Sequence, residues 1–139
     1  MSESPQPTLP PVRTADAQPY WDGLAAGRLL VQRCSACGTH RHYPRPMCPV
    51  CHALDPDWVA LQGHGTVHSW TVLHQSGLAD LVQPLPITLL TVDMAEGVRL
   101  LGQLQPAPGG TTPLQVGAAV RASVGTGATG VAQPVFTLI

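Results

Sequence analysis

The chain contains no lysine. All 7 of its basic residues are arginines, against 8 acidic residues, and the formal net charge is −1. This absence excludes chemistry through a lysine Schiff base. Charged residues make up only 11% and aromatic residues 4% of the 139 residues, whereas about 25% charged residues is usual for a soluble domain. Without a basic surface or many stacking aromatics, nucleic acid is a poor fit as the main ligand.

Long apolar runs are also missing, although hydrophobic residues make up 44% of the chain. No stretch reaches the roughly 18 consecutive apolar residues of a membrane-spanning helix, so no membrane segment is expected. A chain rich in apolar residues and poor in charge is expected to cover part of its surface with a partner. The first residues do not have the pattern of a secretory signal, and we therefore expect a reducing, cytoplasmic environment.

The four cysteines are the most informative residues that are present, because they form two C-x-x-C hooks. Cys34 and Cys37 form the first hook, and Cys48 and Cys51 form the second. Two such hooks supply four thiolates to one tetrahedral metal ion, and the pattern predicts a structural zinc site. Gly38 suits the turn that directs backbone N–H groups at the sulfurs. A closed site of this kind leaves no cysteine free as a nucleophile.

The hooks alone leave two other interpretations open. Two disulfides would require an oxidising compartment. Iron in place of zinc would make the chain an electron carrier. The histidines close to the hooks, His40, His42 and His52, are expected to be solvated loop residues, because four cysteines already complete a tetrahedral site.

Three further histidines fall in one predicted strand, residues 63–74. By the period of two, His64, His68, Trp70 and His74 share one face of that strand. The ends of the strand lie about 30 Å apart, at about 3.3 Å per residue, so the three histidines do not form one site. We expect polar or interface residues here.

The order of predicted elements indicates a mostly β chain in four parts. Residues 1–15 are rich in proline and read as a flexible arm. Residues 16–27 read as a helix, with Asp16 as its cap and Gly27 as its end. The ribbon occupies residues 28–55 and opens with a strand at 28–33. Residues 56–139 are predicted to form a five-stranded OB-fold barrel, with strands at 63–74, 87–93, 98–104, 119–124 and 135–139 and a hairpin turn at 94–97.

Several sequence segments together resemble the DUF35 family. They are Tyr20-Trp21, G-R-L-L-V-Q-R-C-x-x-C-G at 27–38, P-R-P-x-C-P-x-C at 44–51, D-W-V-x-L-x-G-x-G-T-V at 57–67, D-M-A-E-G-V-R-L-L-G at 93–102 and G-A-A-V at 117–120. The resemblance covers residues 16–138. It implies an N-terminal helix, a rubredoxin-like zinc ribbon and a C-terminal OB fold. One departure is the end of the chain, where the expected Phe-x-Pro reads Phe136-Thr137-Leu138.

The resemblance implies an accessory protein of acyl-CoA chemistry with no catalytic residues of its own. Members of the family bind thiolase-like enzymes, including steroid side-chain aldolases and acyl-transferring thiolases. We therefore expect a subunit without activity alone that completes a thiolase-like partner in a hetero-oligomer. Since no second enzyme domain follows the barrel, we expect a separate subunit. The alternatives are a subunit of a MaoC-like enoyl-CoA hydratase and an OB-fold binder of single-stranded nucleic acid.

Two further expectations concern ligand and partner. Arg33, Arg41 and Arg45 are candidates to contact the phosphates of an acyl-CoA at the partner interface. The partner itself is expected to dock on Tyr20 or Trp21, on the ribbon loop at 44–47 and on the apolar loop at 78–85.

Overall fold

The structure is a computed structural model that describes residues 12–76, 84–107, 109–110, 112–127 and 130–139. Within these ranges no helix is long and apolar enough to cross a membrane. The elements, in chain order, are α1 (Gln18–Ala25), β1 (Leu30–Cys34), β2 (His40–Arg41), β3 (Pro56–Ala60), β4 (His64–Leu73), β5 (Ile87–Met94), β6 (Arg99–Gln105), β7 (Ala119–Gly125) and β8 (Gln133–Leu138). The mostly β fold is confirmed. Residues 1–11 of the predicted arm lie outside the described ranges.

The helix begins two residues later than predicted. Its N-cap is Ala17, which makes no side-chain capping bond, so the prediction of Asp16 as the cap is wrong. Pro19 occupies the first turn, where a missing N–H costs no helical hydrogen bond. The other end agrees with the prediction: Gly27 has a φ of 79° and donates its N–H to the carbonyl of Leu24.

The ribbon contains a small antiparallel sheet with the strand order β2-β1-β3. In β1, Gln32 lies opposite Arg41 on one side and opposite Trp58 on the other. The strand β3 had no counterpart among the predicted strands, and it pairs with β1 along its whole length. We therefore propose that the ribbon extends to residue 60, beyond the boundary predicted at 55.

The five remaining strands form a closed barrel in the order β4-β5-β6-β8-β7, which confirms the predicted OB-type barrel. Every neighbouring pair is antiparallel except β6 and β8. Leu90, Val92, Leu100 and Phe136 fill the interior and have almost no exposed surface. The same core cluster continues into the helix and the ribbon through Tyr20, Leu24, Leu29 and Val31. The ribbon is therefore held against the barrel by shared apolar packing.

A bulge in β4 breaks the period of two that the sequence suggested. The register with β5 shifts between Val67 and Ser69, which leaves His68 as the extra residue. Beyond the bulge, Trp70 lies opposite Leu90, on the face that Val67 shares with Val92. The prediction that His64, His68, Trp70 and His74 share one face is wrong, because the inserted residue reverses the alternation.

Candidate metal centre

The two hooks are built in the same way. In the first, the N–H of Gly38 bonds to the carbonyl of Cys34 at 2.9 Å; in the second, the N–H of His52 bonds to the carbonyl of Cys48 at 3.0 Å. Both residues, four positions after the first cysteine of their hook, have a left-handed backbone, with φ of 76° and 66°. The first hook follows directly from β1, because Cys34 is the last residue of that strand.

The four sulfur atoms meet in one cluster. The Sγ atoms of Cys34, Cys37, Cys48 and Cys51 all lie within 4.8 Å of one another. Cys34 and Cys51 approach to 3.4 Å, and Cys37 and Cys48 to 3.6 Å. A disulfide would require about 2.05 Å, whereas sulfurs on a tetrahedral zinc with Zn–S bonds of about 2.3 Å lie slightly under 4 Å apart. The donor set and its spacing therefore fit zinc.

Hydrogen bonds and mutual proximity shift the pKa values of the thiols in opposite directions. The hydroxyl of Thr39, 3.1 Å from the sulfur, lowers the pKa of Cys37 to about 6. The backbone N–H of Ala53 lowers the pKa of Cys51, but the neighbouring thiols and burial outweigh it and raise that pKa to about 11. Four thiolates this close do not coexist without a positive charge between them, and a divalent metal ion supplies that charge.

The three arginines predicted to contact CoA do not lie together. Arg41 is only 5% exposed, and its Nε donates to Oε1 of Gln32 at 2.7 Å while Nη2 donates to the carbonyl of Arg45 at 2.9 Å. Arg33 is exposed and lies next to Gly38, on the opposite face of β1 from Gln32. The structure thus brings Arg41 and Arg45 together and separates Arg33 from them.

Sequence reasoning missed the role of Gln32. Its side chain is 2% exposed, and Oε1 accepts hydrogen bonds from both Arg41 Nε and the backbone N–H of Arg45, the second at 2.8 Å. One acceptor thus ties the loop between the hooks to β1. The available signal was the period of two in β1, which places Gln32 on the same face as the buried Cys34.

The prediction that His42 is a solvated loop residue is wrong. Its ring stacks on Tyr43 with centroids 4.4 Å apart, and it lies 5.1 Å from the ring of Tyr20. Burial lowers the pKa of His42 to about 4, so the imidazole is neutral near pH 7. His52 is exposed, as expected, and His40 is half-buried.

Among the residues that the structure describes, the remaining histidines form no second metal site. Throughout the described ranges, the four cysteines are the one cluster of three or more histidine, cysteine or acidic side chains with metal-binding geometry. His68 lies 3.4 Å from Asp93, which also accepts from Arg99 Nε at 2.6 Å. The hydrogen bond from Arg99 holds the pKa of Asp93 below its usual value.

The residues expected to contact a partner differ in how much of their surface is exposed. Tyr20 is 4% exposed and belongs to the core, so it is not free to form an interface; Trp21 is half-buried against the same core. Of the apolar loop at 78–85, residues 78–83 lie outside the described ranges, and Leu85 is half-buried. The large apolar side chains that the ribbon does expose are Tyr43, Met47, Val50 and Leu54.

Two protein-family models match consecutive parts of the chain. The model described as "ChsH2, rubredoxin-like zinc ribbon domain" matches residues 21–57, and "ChsH2, C-terminal OB-fold domain" matches residues 58–125. The first model covers both hooks. The second covers the barrel as far as the end of β7.

Individual proteins show the same similarity. A probable enoyl-CoA hydratase alpha subunit of Thermomonospora curvata is 38% identical over 85 residues, which are 61% of this chain and 26% of that protein. A DUF35 domain-containing scaffold protein of Methanocaldococcus jannaschii is 30% identical over 77 residues, which are 55% of this chain and 54% of that protein. The chain therefore matches only about a quarter and about half of the length of these curated relatives.

A solved structure matches nearly the whole chain. A chain of the structure called "Ltp2-ChsH2(DUF35) aldolase" has a TM-score of 0.79 and 30% sequence identity. The match covers 93% of this chain and 98% of that one. Unlike the two curated relatives, the chain of this solved structure is matched along almost its full length.

Proposed function

This chain belongs to the DUF35 family, and from that premise we propose that it is a non-catalytic accessory subunit that binds and completes a thiolase-like acyl-CoA enzyme. The observation that carries the proposal is the match over 98% of a chain in the aldolase called Ltp2-ChsH2(DUF35). The scaffold protein of M. jannaschii supports a role in assembly rather than in chemistry.

The four cysteines support a structural rather than a catalytic zinc. A catalytic zinc keeps one position open for water or substrate, whereas here four thiols share one cluster. All the cysteines of the chain are in that cluster, so none remains as a nucleophile. Cysteines that bind a structural metal rather than pair as disulfides are typical of a reducing compartment, and a cytoplasmic location is part of this proposal.

We propose that the partner docks on the ribbon, at the apolar surface formed by Tyr43, Met47, Val50 and Leu54. These four side chains are 47–67% exposed and all lie within residues 43–54. A cavity of about 350 Å³ adjoins this surface, and Leu54, Pro46, Pro56 and Trp58 are among its lining residues. A concave apolar pocket beside exposed apolar groups suits an anchoring side chain from a partner.

Acyl-CoA lies at the interface with the partner in this proposal. Arg41 and Arg45 are close together and support a phosphate contact, and Arg33 remains a candidate on the other face of the sheet. The acyl group and the reacting carbon atoms would then belong to the partner's site.

A second candidate is the alpha subunit of an enoyl-CoA hydratase. The name of the T. curvata relative favours it, at 38% identity. In this case the partner would be a MaoC-like hydratase, and this chain would again supply the zinc ribbon and the barrel without catalytic residues.

Sedimentation velocity with purified proteins tests both candidates. The zinc-loaded chain is mixed with a thiolase-like enzyme or with a MaoC-like hydratase from the same source. We expect a stoichiometric complex with the thiolase-like enzyme, weakened at least tenfold by Met47→Asp, since a true interface anchor contributes about 2 kcal/mol or more. Val116→Asp is the matched control, because Val116 is 69% exposed on a barrel loop.

Binding to the hydratase alone would replace the first candidate by the second. Equal binding by parent and Met47→Asp proteins would contradict the proposed docking surface. Failure of the parent chain to bind either enzyme would contradict the accessory role itself.

A further inference from the structure

A basic pocket lies where the loop between the hooks meets the β5–β6 turn of the barrel. Its cavity is about 230 Å³. Residues from both parts line it, because the ribbon contributes residues 40–42, Arg45 and Pro49 and the barrel contributes residues 97–99. Three arginines line it, Arg41, Arg45 and Arg99, beside His40 and the neutral His42, and no acidic or cysteine side chain is among the lining residues.

Arg41 is a buried cation without a carboxylate partner in the described parts of the chain. Its two hydrogen bonds go to neutral oxygens, on Gln32 and on the backbone of Arg45. Its Nη1 is shielded from solvent and has no acceptor. A buried charge is costly unless an opposite charge or a full set of hydrogen bonds accompanies it. None of the residues that line the pocket supplies the opposite charge that Arg41 lacks.

The nearby acidic residues do not pair with Arg41, although Asp93 does pair with Arg99, which lines the pocket. Asp93 bonds to Arg99 Nε and lies 3.4 Å from His68. Glu96, in the turn before Gly97, accepts the backbone N–H of Gln62 through Oε2 at 2.9 Å. Neither carboxylate forms an ion pair with Arg41. Arg41 and Arg45 therefore give the pocket an excess of positive charge at a junction between two folded parts.

We propose that this pocket binds an oxyanion of the phosphate type. Guanidinium groups present planar forks of N–H donors that match phosphate oxygens. Arg41 and Arg45 line this small volume without a carboxylate partner in the described parts of the chain, and Arg99 lines it while paired with Asp93. Gln32 fixes the backbone of Arg45 through the N–H at 2.8 Å, so the loop is held in place before a ligand arrives. Arg33 is not among the residues that line this site.

The proposal that the pocket binds an oxyanion does not depend on the identity of the partner enzyme. Only the choice of CoA as the source of the phosphate rests on the proposed function. The same chemistry suits free phosphate, so the experiment uses both sources and the isolated, zinc-loaded chain. If no complex forms in the sedimentation experiment, the phosphate measurement can still be interpreted. If no phosphate binds, the sedimentation experiment can still be interpreted.

Isothermal titration calorimetry and phosphorus NMR line broadening measure binding of inorganic phosphate, CoA and dephospho-CoA. Arg45→Gln removes a charge while keeping the backbone contacts of Arg45, and we expect it to weaken binding roughly tenfold or more. Arg121→Gln, on β7, carries the same change of charge outside the pocket and is expected to bind as the parent does. Zinc content and circular dichroism establish that each variant is folded.

The three probes identify the source of the oxyanion. CoA binding that exceeds dephospho-CoA binding assigns the pocket to the 3′-phosphate, and equal binding of the two assigns it to the diphosphate. Binding of inorganic phosphate alone assigns it to free phosphate. The proposal is overturned if the parent binds none of the probes at millimolar concentration, or if Arg45→Gln and Arg121→Gln change binding equally.

Discussion

Replacing Gln32 by Leu is expected to weaken the ribbon more than any surface change in the loop between the hooks. The side chain is 2% exposed, and its Oε1 is the shared acceptor for Arg41 Nε at 2.7 Å and for the backbone N–H of Arg45 at 2.8 Å. Leucine has a similar volume and no acceptor. The substitution therefore leaves both donors without their partner while filling the space.

The size of the effect follows from those two hydrogen bonds. A hydrogen bond to a charged group contributes about 1.5–3 kcal/mol, and a buried N–H left unsatisfied costs about 1–3 kcal/mol. The apolar surface that Leu buries offsets part of this loss. We expect the free energy of unfolding to fall by about 3 kcal/mol, which is a large fraction of the roughly 5–15 kcal/mol of a typical domain.

Urea denaturation in the presence of excess zinc measures the effect. Gln115→Leu is the matched control, since Gln115 is exposed, and it is expected to change stability by less than about 0.5 kcal/mol. Gln32→Glu keeps the acceptor oxygens and adds a negative charge beside Arg41, so it should lose much less than Gln32→Leu. A loss below about 1 kcal/mol for Gln32→Leu, with the zinc content unchanged, would refute the role of Gln32.

Three further predictions concern the hooks and His42. Cys48→Ser removes a soft ligand, so elemental analysis should find close to one zinc per chain in the parent and much less in the variant; equal zinc in both would contradict the ligand set. His52→Gly should raise the free energy of unfolding by roughly 0.5 kcal/mol or more, because glycine relieves the left-handed backbone at φ 66°; a clear loss of stability would count against this. The pKa of His42 is about 4 when folded and 6.5 in a model peptide, so its contribution is full above pH 6.5 and falls as the pH drops toward 4, by at most about 3 kcal/mol. His42→Phe should flatten that part of the stability profile at constant zinc content, whereas His74→Phe at an exposed position should not; identical profiles for parent and His42→Phe would show that His42 is not the titrating group.

Much of the architecture followed from local signals in the sequence. The hooks at 34–37 and 48–51 predict that four sulfur atoms meet, because two residues between the cysteines of each hook let both sulfurs face the same point. The five barrel strands were predicted within a few residues of their observed bounds, since β-branched runs between glycine-rich turns carry that information locally. The turn at Gly27 and the hairpin at 94–97 were likewise predicted by residue type.

The rest depends on contacts between distant parts of the chain. His42 is buried because Tyr20, from the helix, packs against its ring, and no pattern within residues 40–47 shows that contact. The bulge at His68 reflects the register with β5. The sequence around Gln32 predicts an ordinary strand residue, and its role depends on the hydrogen bond from the backbone of Arg45. Tertiary packing, rather than local propensity, decides each of these cases.

The central claim is that this chain completes an acyl-CoA enzyme and has no turnover of its own. The most direct test is acyl-CoA cleavage or condensation, measured for the zinc-loaded chain alone, for a purified thiolase-like partner alone and for the two mixed at equal concentration. The account predicts no turnover by the isolated chain and a marked gain in the partner's rate when the two are mixed. Sustained turnover by the isolated chain, at a rate proportional to its concentration and abolished by a substitution within it, would contradict the account.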